Sequence, residues 1–328
     1  MNNSFKQIAD ILAGAGSVLI YPHIGLDGDA VGSSVALCKA LRKMGKDAYV
    51  LLEDDVPINL KFLDKGYCTD DQDIIKDVDI SMCVDCGEEK RFPLRTEKFR
   101  AGKTHICVDH HQSSDEFCEY NYIDPHASAA GELVYDLIRA MDVEFDLEMA
   151  ENIFAAITTD TGNFQYSNTT RRAFEIMAEL IDIGLDTNKV SVELYDNVRL
   201  ERKIIETMAF STLEMVGGGK GAIAFVTQEM LAESGAFSEE TENVIRQLRS
   251  IAGVEYAAFL KEKEDNLIRL SLRAKTYGDV AVIAEKFGGG GHIKASGARL
   301  EMKLSEAVEK VKAEIEATIK ADEEAGRA

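Results

Sequence analysis

His23-Ile24-Gly25-Leu26-Asp27-Gly28-Asp29 follows the apolar run Ser17-Val18-Leu19-Ile20-Tyr21. An apolar run this short, bounded by polar residues, fits a strand buried on both faces. Residues 30–44 then place Val31, Val35, Leu37, Leu41 and Met44 at helical spacing, with Gly45 as C-cap. Residues 47–52 return to strand, and residues 79–84 and 104–108 are further short apolar runs. Alternating strands and helices predict an α/β fold with a parallel sheet and helices on both faces. Ligands in such a fold gather at the carboxyl ends of the strands. His23 and Asp27, then Asp85, then Asp109-His110-His111, each follow one of these runs.

These residues are hard and borderline ligands without thiolates, a set that suits Mn²⁺ or a similar ion. Alone, Asp27-Gly28-Asp29 reads as a solvated turn. A calcium loop of the EF-hand type is disfavoured, because no Glu follows at the required spacing. His23, four residues earlier, makes the turn a ligand candidate. His110 and His111 point opposite ways if the segment is extended, so one could bind metal while the other faces substrate. Asp109 suits the orientation of a neighbouring ring. Asp85 and Asp160, in Thr158-Thr159-Asp160-Thr161-Gly162, would each pass as a cap or turn residue alone; as members of the set they become ligand candidates. His105, inside a strand, reads as structural, and His126 is left out of the ligands. Two ions held this way would clamp the attacking and leaving oxygens of a phosphoryl transfer.

The chain has 328 residues, enough for two cores, with 45% hydrophobic and 29% charged residues. No apolar run approaches the ~20 residues of a membrane span, and the start carries no basic stretch followed by an apolar core. A cytoplasmic protein with no membrane partner is the expectation. Cys83-Val84-Asp85-Cys86 matches C-x-x-C, but it lies at a strand end without a second pair. The six cysteines therefore read as reduced thiols, not as a redox or zinc motif. A net charge of −21 repels a long phosphate backbone, so a nucleic-acid ligand should be short.

Helices are expected over residues 128–141, 147–159 and 169–183, and a polar connecting helix over 188–215. The second half predicts a strand at 221–226, a helix at 239–251, a hairpin of 254–261 with 267–274, a helix at 279–287, and a closing helix at 304–319 with a frayed end. Gly288-Gly289-Gly290-Gly291-His292 sits between an apolar helix and an apolar strand, which argues against a flexible linker. Close approach of backbone N–H groups to phosphate is the preferred account. Residues 269–299 hold six cations against two carboxylates, a net of +4. His292, Arg273 and Lys275 could grip phosphate oxygens there. Gly217-Gly218-Gly219-Lys220 lacks the length of a P-loop and reads as a turn.

Taken in order, these motifs resemble the DHH phosphoesterase family, and Gly289-Gly290-Gly291-His292 resembles the G-G-G-H signature of its DHH-associated domain. The resemblance implies a metal-binding domain over residues 1–187, a helical linker over 188–200, and a smaller α/β substrate-binding domain over 201–328, with a cleft between the two domains. It implies that His23, Asp27 and Asp85 hold one Mn²⁺. Asp29, Asp85, His110 and Asp160 would hold the other, with Asp85 bridging. His111, assisted by Asp109, would face the scissile phosphate, and Gly290, Gly291 and His292 would meet the substrate's other phosphate or nucleotide. The compact length is similar to the subgroup of bacterial nano-RNases and pAp phosphatases, where pAp is 3′-phosphoadenosine 5′-phosphate. That subgroup usually carries Ser-Ser-Thr where this chain has Ser128-Ala129-Ala130; Ser128 is counted with the substrate contacts. The implied activity is hydrolysis of very short oligoribonucleotides and of pAp, activated by two ions. Turnover of cyclic di-AMP or of its linear product pApA is the nearest alternative. A nucleotide-sensing module without catalysis is a remote one, and the second domain argues against a pyrophosphatase. A homodimer is implied by the resemblance alone.

Overall fold

The computed structural model describes residues 2–327, which form two compact units divided between Asn197 and Val198. In the first unit six parallel strands lie in the order β3-β2-β1-β4-β5-β6. They are β1 (Ser17–Tyr21), β2 (Asp47–Leu51), β3 (Cys68–Thr69), β4 (Ile80–Val84), β5 (Thr104–Asp109) and β6 (Tyr120–Ile123). The strand order reverses between β1 and β4, where a doubly wound sheet opens its ligand crevice.

β1 and β4 are buried at every position because the sheet is covered on both sides. Val18 and Ile20 face the larger core, built against the helices Phe5–Gly14, Gly28–Lys43, Ala130–Ala140 and Leu147–Asp160. Leu19 and Tyr21 face a smaller core with Cys83, Cys107, Phe92 and Phe99. This second face is covered by short turns and the five-residue helix Thr96–Arg100. The helices Gly28–Lys43 and Leu147–Asp160 cross at close range: a Cβ on Gly32 would lie 2.4 Å from the Asn152 carbonyl oxygen. That crossing brings the end of one helix to the start of the other.

Several boundaries differ from the sequence reading. The helix expected from residue 30 begins at Gly28, because Asp27 accepts hydrogen bonds from the Asp29 and Ala30 amides. The connecting helix expected over 188–215 is broken. Thr187–Ser191 runs into a π turn at Val192–Asp196, and a new helix begins at Leu200.

In the second unit the sheet order is β11-β12-β10-β9-β8-β7. The strands are β7 (Glu214–Val216), β8 (Gly221–Val226), β9 (Tyr256–Glu264), β10 (Leu267–Ala274), β11 (Gly290–His292) and β12 (Ala295–Glu301). Only the β8–β9 pair is parallel. The expected hairpin is β9–β10. The closing helix, Leu304–Glu324, does not fray where expected. Asp322 is buried and accepts the Tyr256 hydroxyl proton, which ties down the last turns; Ala328 lies outside the described residues. Among the described residues no helix is long and apolar enough to cross a membrane.

Candidate metal centre

Beyond the carboxyl ends of β1, β4 and β5 the chain brings together His23, Asp27, Asp29, Asp85, His110, His111 and Asp160. Their ligand atoms form three overlapping groups, each with all its atoms within 4.8 Å: His23, Asp27 and Asp85; Asp29, His110 and Asp160; Asp85, His110 and His111. Asp85 joins the first two. Its Oδ2 lies 3.4 Å from His23 Nε2 and its Oδ1 lies 3.5 Å from His110 Nε2. Asp85 follows the end of β4 with φ +55°, a left-handed conformation uncommon outside glycine, held by its amide donating to the Val108 carbonyl at 3.1 Å.

Each ligand candidate is aimed by a second contact. His23 Nδ1 donates to the Ile24 carbonyl at 2.9 Å, and His110 Nδ1 faces the Ala127 carbonyl at 3.4 Å. Both contacts put the proton on Nδ1 and leave the Nε2 lone pair for an ion. Asp27 uses Oδ1 to cap its helix and turns Oδ2 toward His23 at 3.7 Å. Asp29 accepts from the Ala130 and Gly131 amides at 2.6 and 2.8 Å, while its Oδ2 lies 3.5 Å from His110 Nε2.

Asp160 is the last residue of the helix Leu147–Asp160, one residue beyond the end expected from the sequence. A carboxylate there opposes the helix dipole. Burial, with the charges of Asp85 and Asp27, raises its pKa to about 6 against the pull of His110. Burial and Asp85 hold Asp29 well above the usual carboxylate range. Burial would lower the His110 pKa, but the Asp85 hydrogen bond and the charges of Asp29, Asp85 and Asp160 lift it to about 11. His23 rises to about 9 by the same balance, with Asp85 and Asp27 as partners. Asp85 would be raised by burial, yet hydrogen bonds from His110 and His23 hold it below the usual range. The protein side thus offers clustered negative charge that protons on imidazoles offset. A divalent ion meets the same need, and the donor set fits one. The buried Asp85 Oδ1 has imidazole nitrogens of His110 and His111 no closer than 3.5 Å and makes no well-formed hydrogen bond among the described residues, the position of an atom meant for a cation.

His111 belongs to the group with Asp85 and His110, with Nδ1 3.5 Å from Asp85 Oδ1, but it has a nearer partner. Its Nδ1 lies 2.8 Å from Asp109 Oδ1, and Asp109 is fully buried. The ring is about one-third exposed, which leaves Nε2 for a substrate.

Other expected site residues are placed differently. Ser128 is fully buried and its hydroxyl donates to Glu132 Oε2 at 2.7 Å, so it supports the site rather than touching substrate. Lys275 is exposed, and its Nζ donates to the Ile251 carbonyl at 2.7 Å. Arg273 is half-buried, with Nη1 2.9 Å from the Leu272 carbonyl. Gly290, Gly291 and His292 form the exposed edge strand β11. Phosphate approach does not explain the whole glycine run. A Cβ at Gly289 or Gly291 would strike the backbone of β12, and Gly291 has φ +140°; Gly288 and Gly290 face open space, but Gly288 has φ +71°, so Gly290 alone of the four has neither a close neighbour nor a left-handed backbone. His105 is structural as expected, with Nε2 3.1 Å from the Phe99 carbonyl.

Sequence reasoning missed Asn168. Its Nδ2 lies 3.2 Å from Asp160 Oδ2 and 2.9 Å from the Ser128 carbonyl. An asparagine in the polar run Ser167-Asn168-Thr169-Thr170 carries no signal that separates it from a loop residue.

Residues 17–161 match the DHH family, N-terminal domain, and residues 218–321 match the DHHA1 domain. The bifunctional oligoribonuclease and PAP phosphatase NrnA of Thermus thermophilus is 31% identical over 314 residues, covering 93% of this chain and 91% of the relative. The protein of the same description from Bacillus subtilis is 26% identical over 288 residues, 87% of this chain and 89% of the relative. The solved structure of an exopolyphosphatase-related protein from Bacteroides fragilis superposes with a TM-score of 0.89 at 25% identity, over 97% of this chain and 96% of that one. With both domain matches in order and a relative this similar along nearly its whole length, the chain belongs to the DHH family.

Proposed function

We propose that this protein hydrolyses very short oligoribonucleotides to 5′-mononucleotides and removes the 3′ phosphate of pAp to leave AMP. The observation that carries the reading is the Asp85 carboxylate, which turns one oxygen toward His23 and the other toward His110. That is the arrangement of a bridge between two divalent ions, which we take to be Mn²⁺. When bound, the ions would supply Lewis-acid stabilisation and an acidified water nucleophile. The activity named for the Thermus and Bacillus relatives supports the same reading.

Both reactions are one chemistry. Water attacks phosphorus and the ribose 3′-oxygen leaves. From pApA the products are two AMP; from pAp they are AMP and phosphate. His23, Asp27 and Asp85 would hold one ion, and Asp29, Asp85, His110 and Asp160 the other. His111 Nε2 would give its proton to the leaving 3′-oxygen, while Asp109 stabilises the ring as it changes charge. In the second unit, Gly290, His292 and Arg273 are the candidates for a phosphate grip. The net charge of −21 disfavours a long strand. The six cysteines are all free, in keeping with a reducing cytoplasm.

The test is product analysis with Mn²⁺, offering pApA, pAp, a long single-stranded RNA and cyclic di-AMP in parallel. AMP from pApA and pAp, with the other two nearly intact, is the expected result. Cleavage of cyclic di-AMP at a comparable rate would move the protein to second-messenger turnover, and no AMP from pApA or pAp would overturn the reading.

A further inference from the structure

The two ligand groups are supported by different parts of the chain. Behind His110, Asp29 and Asp160 lies one short segment, residues 127–131, a turn that runs into the first two residues of the helix Ala130–Ala140. The Ala127 carbonyl faces His110 Nδ1 at 3.4 Å. The Ala130 and Gly131 amides donate to Asp29 at 2.6 and 2.8 Å. Asp160 reaches the same turn through Asn168, whose Nδ2 lies within 3.2 Å of both Asp160 oxygens that face it, the carbonyl and Oδ2, and 2.9 Å from the Ser128 carbonyl.

The turn is itself pinned. Glu132 Oε2 accepts from the Ser128 amide at 3.1 Å, the Ser128 hydroxyl at 2.7 Å and the Thr170 hydroxyl at 2.8 Å. Glu132 is buried, so these three donors replace its solvent. All the contacts to the ligands use backbone atoms of the turn, which explains how Ala129 and Ala130 are tolerated there. The other group is supported elsewhere. His23 leans on the Ile24 carbonyl, and Asp27 on the first amides of its own helix. No described hydrogen bond or ion pair links residues 127–131 or Asn168 to His23 or Asp27.

We infer that residues 127–131 and Asn168 form a positioning frame for one ion only, the one held by Asp29, His110 and Asp160, and that Asn168 is the positioning residue that sets its affinity. The inference rests on the two-ion reading above. Groups behind metal ligands act by fixing ring and carboxylate orientation, and their loss typically weakens metal affinity about 10- to 100-fold. Here the loss falls on one ion. The ion at His23 and Asp27 keeps its affinity, because the frame does not touch those ligands.

The test is Mn²⁺ titration of the metal-free full-length chain, with unbound Mn²⁺ read by electron paramagnetic resonance. Wild type should bind two ions per chain. Asn168→Ala should bind one with unchanged affinity and the other about 10- to 100-fold more weakly. Two unchanged sites, or two sites weakened alike, would overturn the frame. Circular dichroism of the metal-free variant checks that it folds. If it does not, Glu132→Gln, which preserves shape and loosens the pinned turn, must show the same one-site loss. Its failure to do so also overturns the frame. A wild type that binds fewer than two ions sinks the two-ion reading underneath. A wild type that binds two, with unaffected variants, sinks the frame alone.

Discussion

Asp109 accepts the Nδ1 proton of His111 at 2.8 Å, and the two residues flank the metal ligand candidate His110 in sequence. Asp109 has no exposed surface, so its charge acts on the ring at low screening. Burial would lower the His111 pKa, but Asp109 and Asp85 raise it above the ordinary histidine value. The pair has the form of a proton donor with its charge stabiliser.

Asp109→Asn keeps the shape and removes the charge. The expected result is a fall in kcat of about 10²- to 10⁴-fold, the range of general acid catalysis, with the Mn²⁺ content unchanged. The sign of the pH effect follows from the role. The acid must be protonated, so activity declines as pH rises through the His111 pKa, and the variant brings that decline to lower pH. Loss of metal together with activity would instead make Asp109 a ligand support.

Asp85→Asn addresses the bridge. Asparagine tolerates the left-handed backbone at this position, so the turn should survive. Turnover should be abolished and bound Mn²⁺ should drop below two per chain. The metal-free protein should also melt at lower temperature, since two protonated imidazoles lose a buried partner, a change that costs about 3–5 kcal/mol when a buried pair is broken. Near-normal hydrolysis by this variant would end the bridging scheme.

The parts of this molecule legible in the sequence are those that a buried parallel strand writes as an apolar run. β1, β4 and β5 were marked that way, and His23, Asp85 and His110 follow them. The edge strands β3 and β6 were not marked, because half-buried edges lose the continuous pattern. Asp160 falls just past the helix expected over 147–159, and the structure extends that helix by one residue to include it. Asn168 and the Ala130 and Gly131 amides were invisible for a different reason. They act through an amide group or the backbone on partners up to 102 residues away, and such pairings leave no mark on residue type. Ser128 has the right chemistry for substrate, but its hydroxyl is buried and donates to Glu132.

Metal binding should depend on pH well above the ordinary histidine range. In the metal-free protein His23 titrates at about 9 and His110 at about 11, so both carry protons at pH 7. An entering ion must displace those protons, and its apparent affinity should therefore rise as pH increases from 7 to 9. Stability runs the other way without metal. A folded pKa of about 9 for His23 lies above its unfolded value of about 6.5. Its contribution is complete below pH 6.5 and is lost as pH rises through 9. Asp160, raised to about 6, acts with the same sign at lower pH. Melting of the metal-free protein from pH 6 to 9.5, with and without Mn²⁺, should show Tm falling without the metal and the Mn²⁺ increment growing. A flat increment would mean the imidazoles are already neutral.

The glycine run separates structure from recognition at single positions. Gly291 has φ +140° and its Cβ would lie 2.7 Å from the Ala295 carbonyl oxygen, whereas a Cβ at Gly290 meets nothing within 4 Å. Gly291→Ala should destabilise the protein by about 1 kcal/mol or more, because the conformation is one that alanine avoids. Gly290→Ala should leave Tm unchanged and raise KM for pApA, as should His292→Ala, whose side chain is exposed on the same edge strand. Neither should change Mn²⁺ content, since all the metal ligand candidates lie in the first unit. Thermal melts, metal analysis and steady-state kinetics on the three variants separate the roles. An unchanged KM in both Gly290→Ala and His292→Ala would remove β11 from substrate recognition and leave its glycines with packing alone.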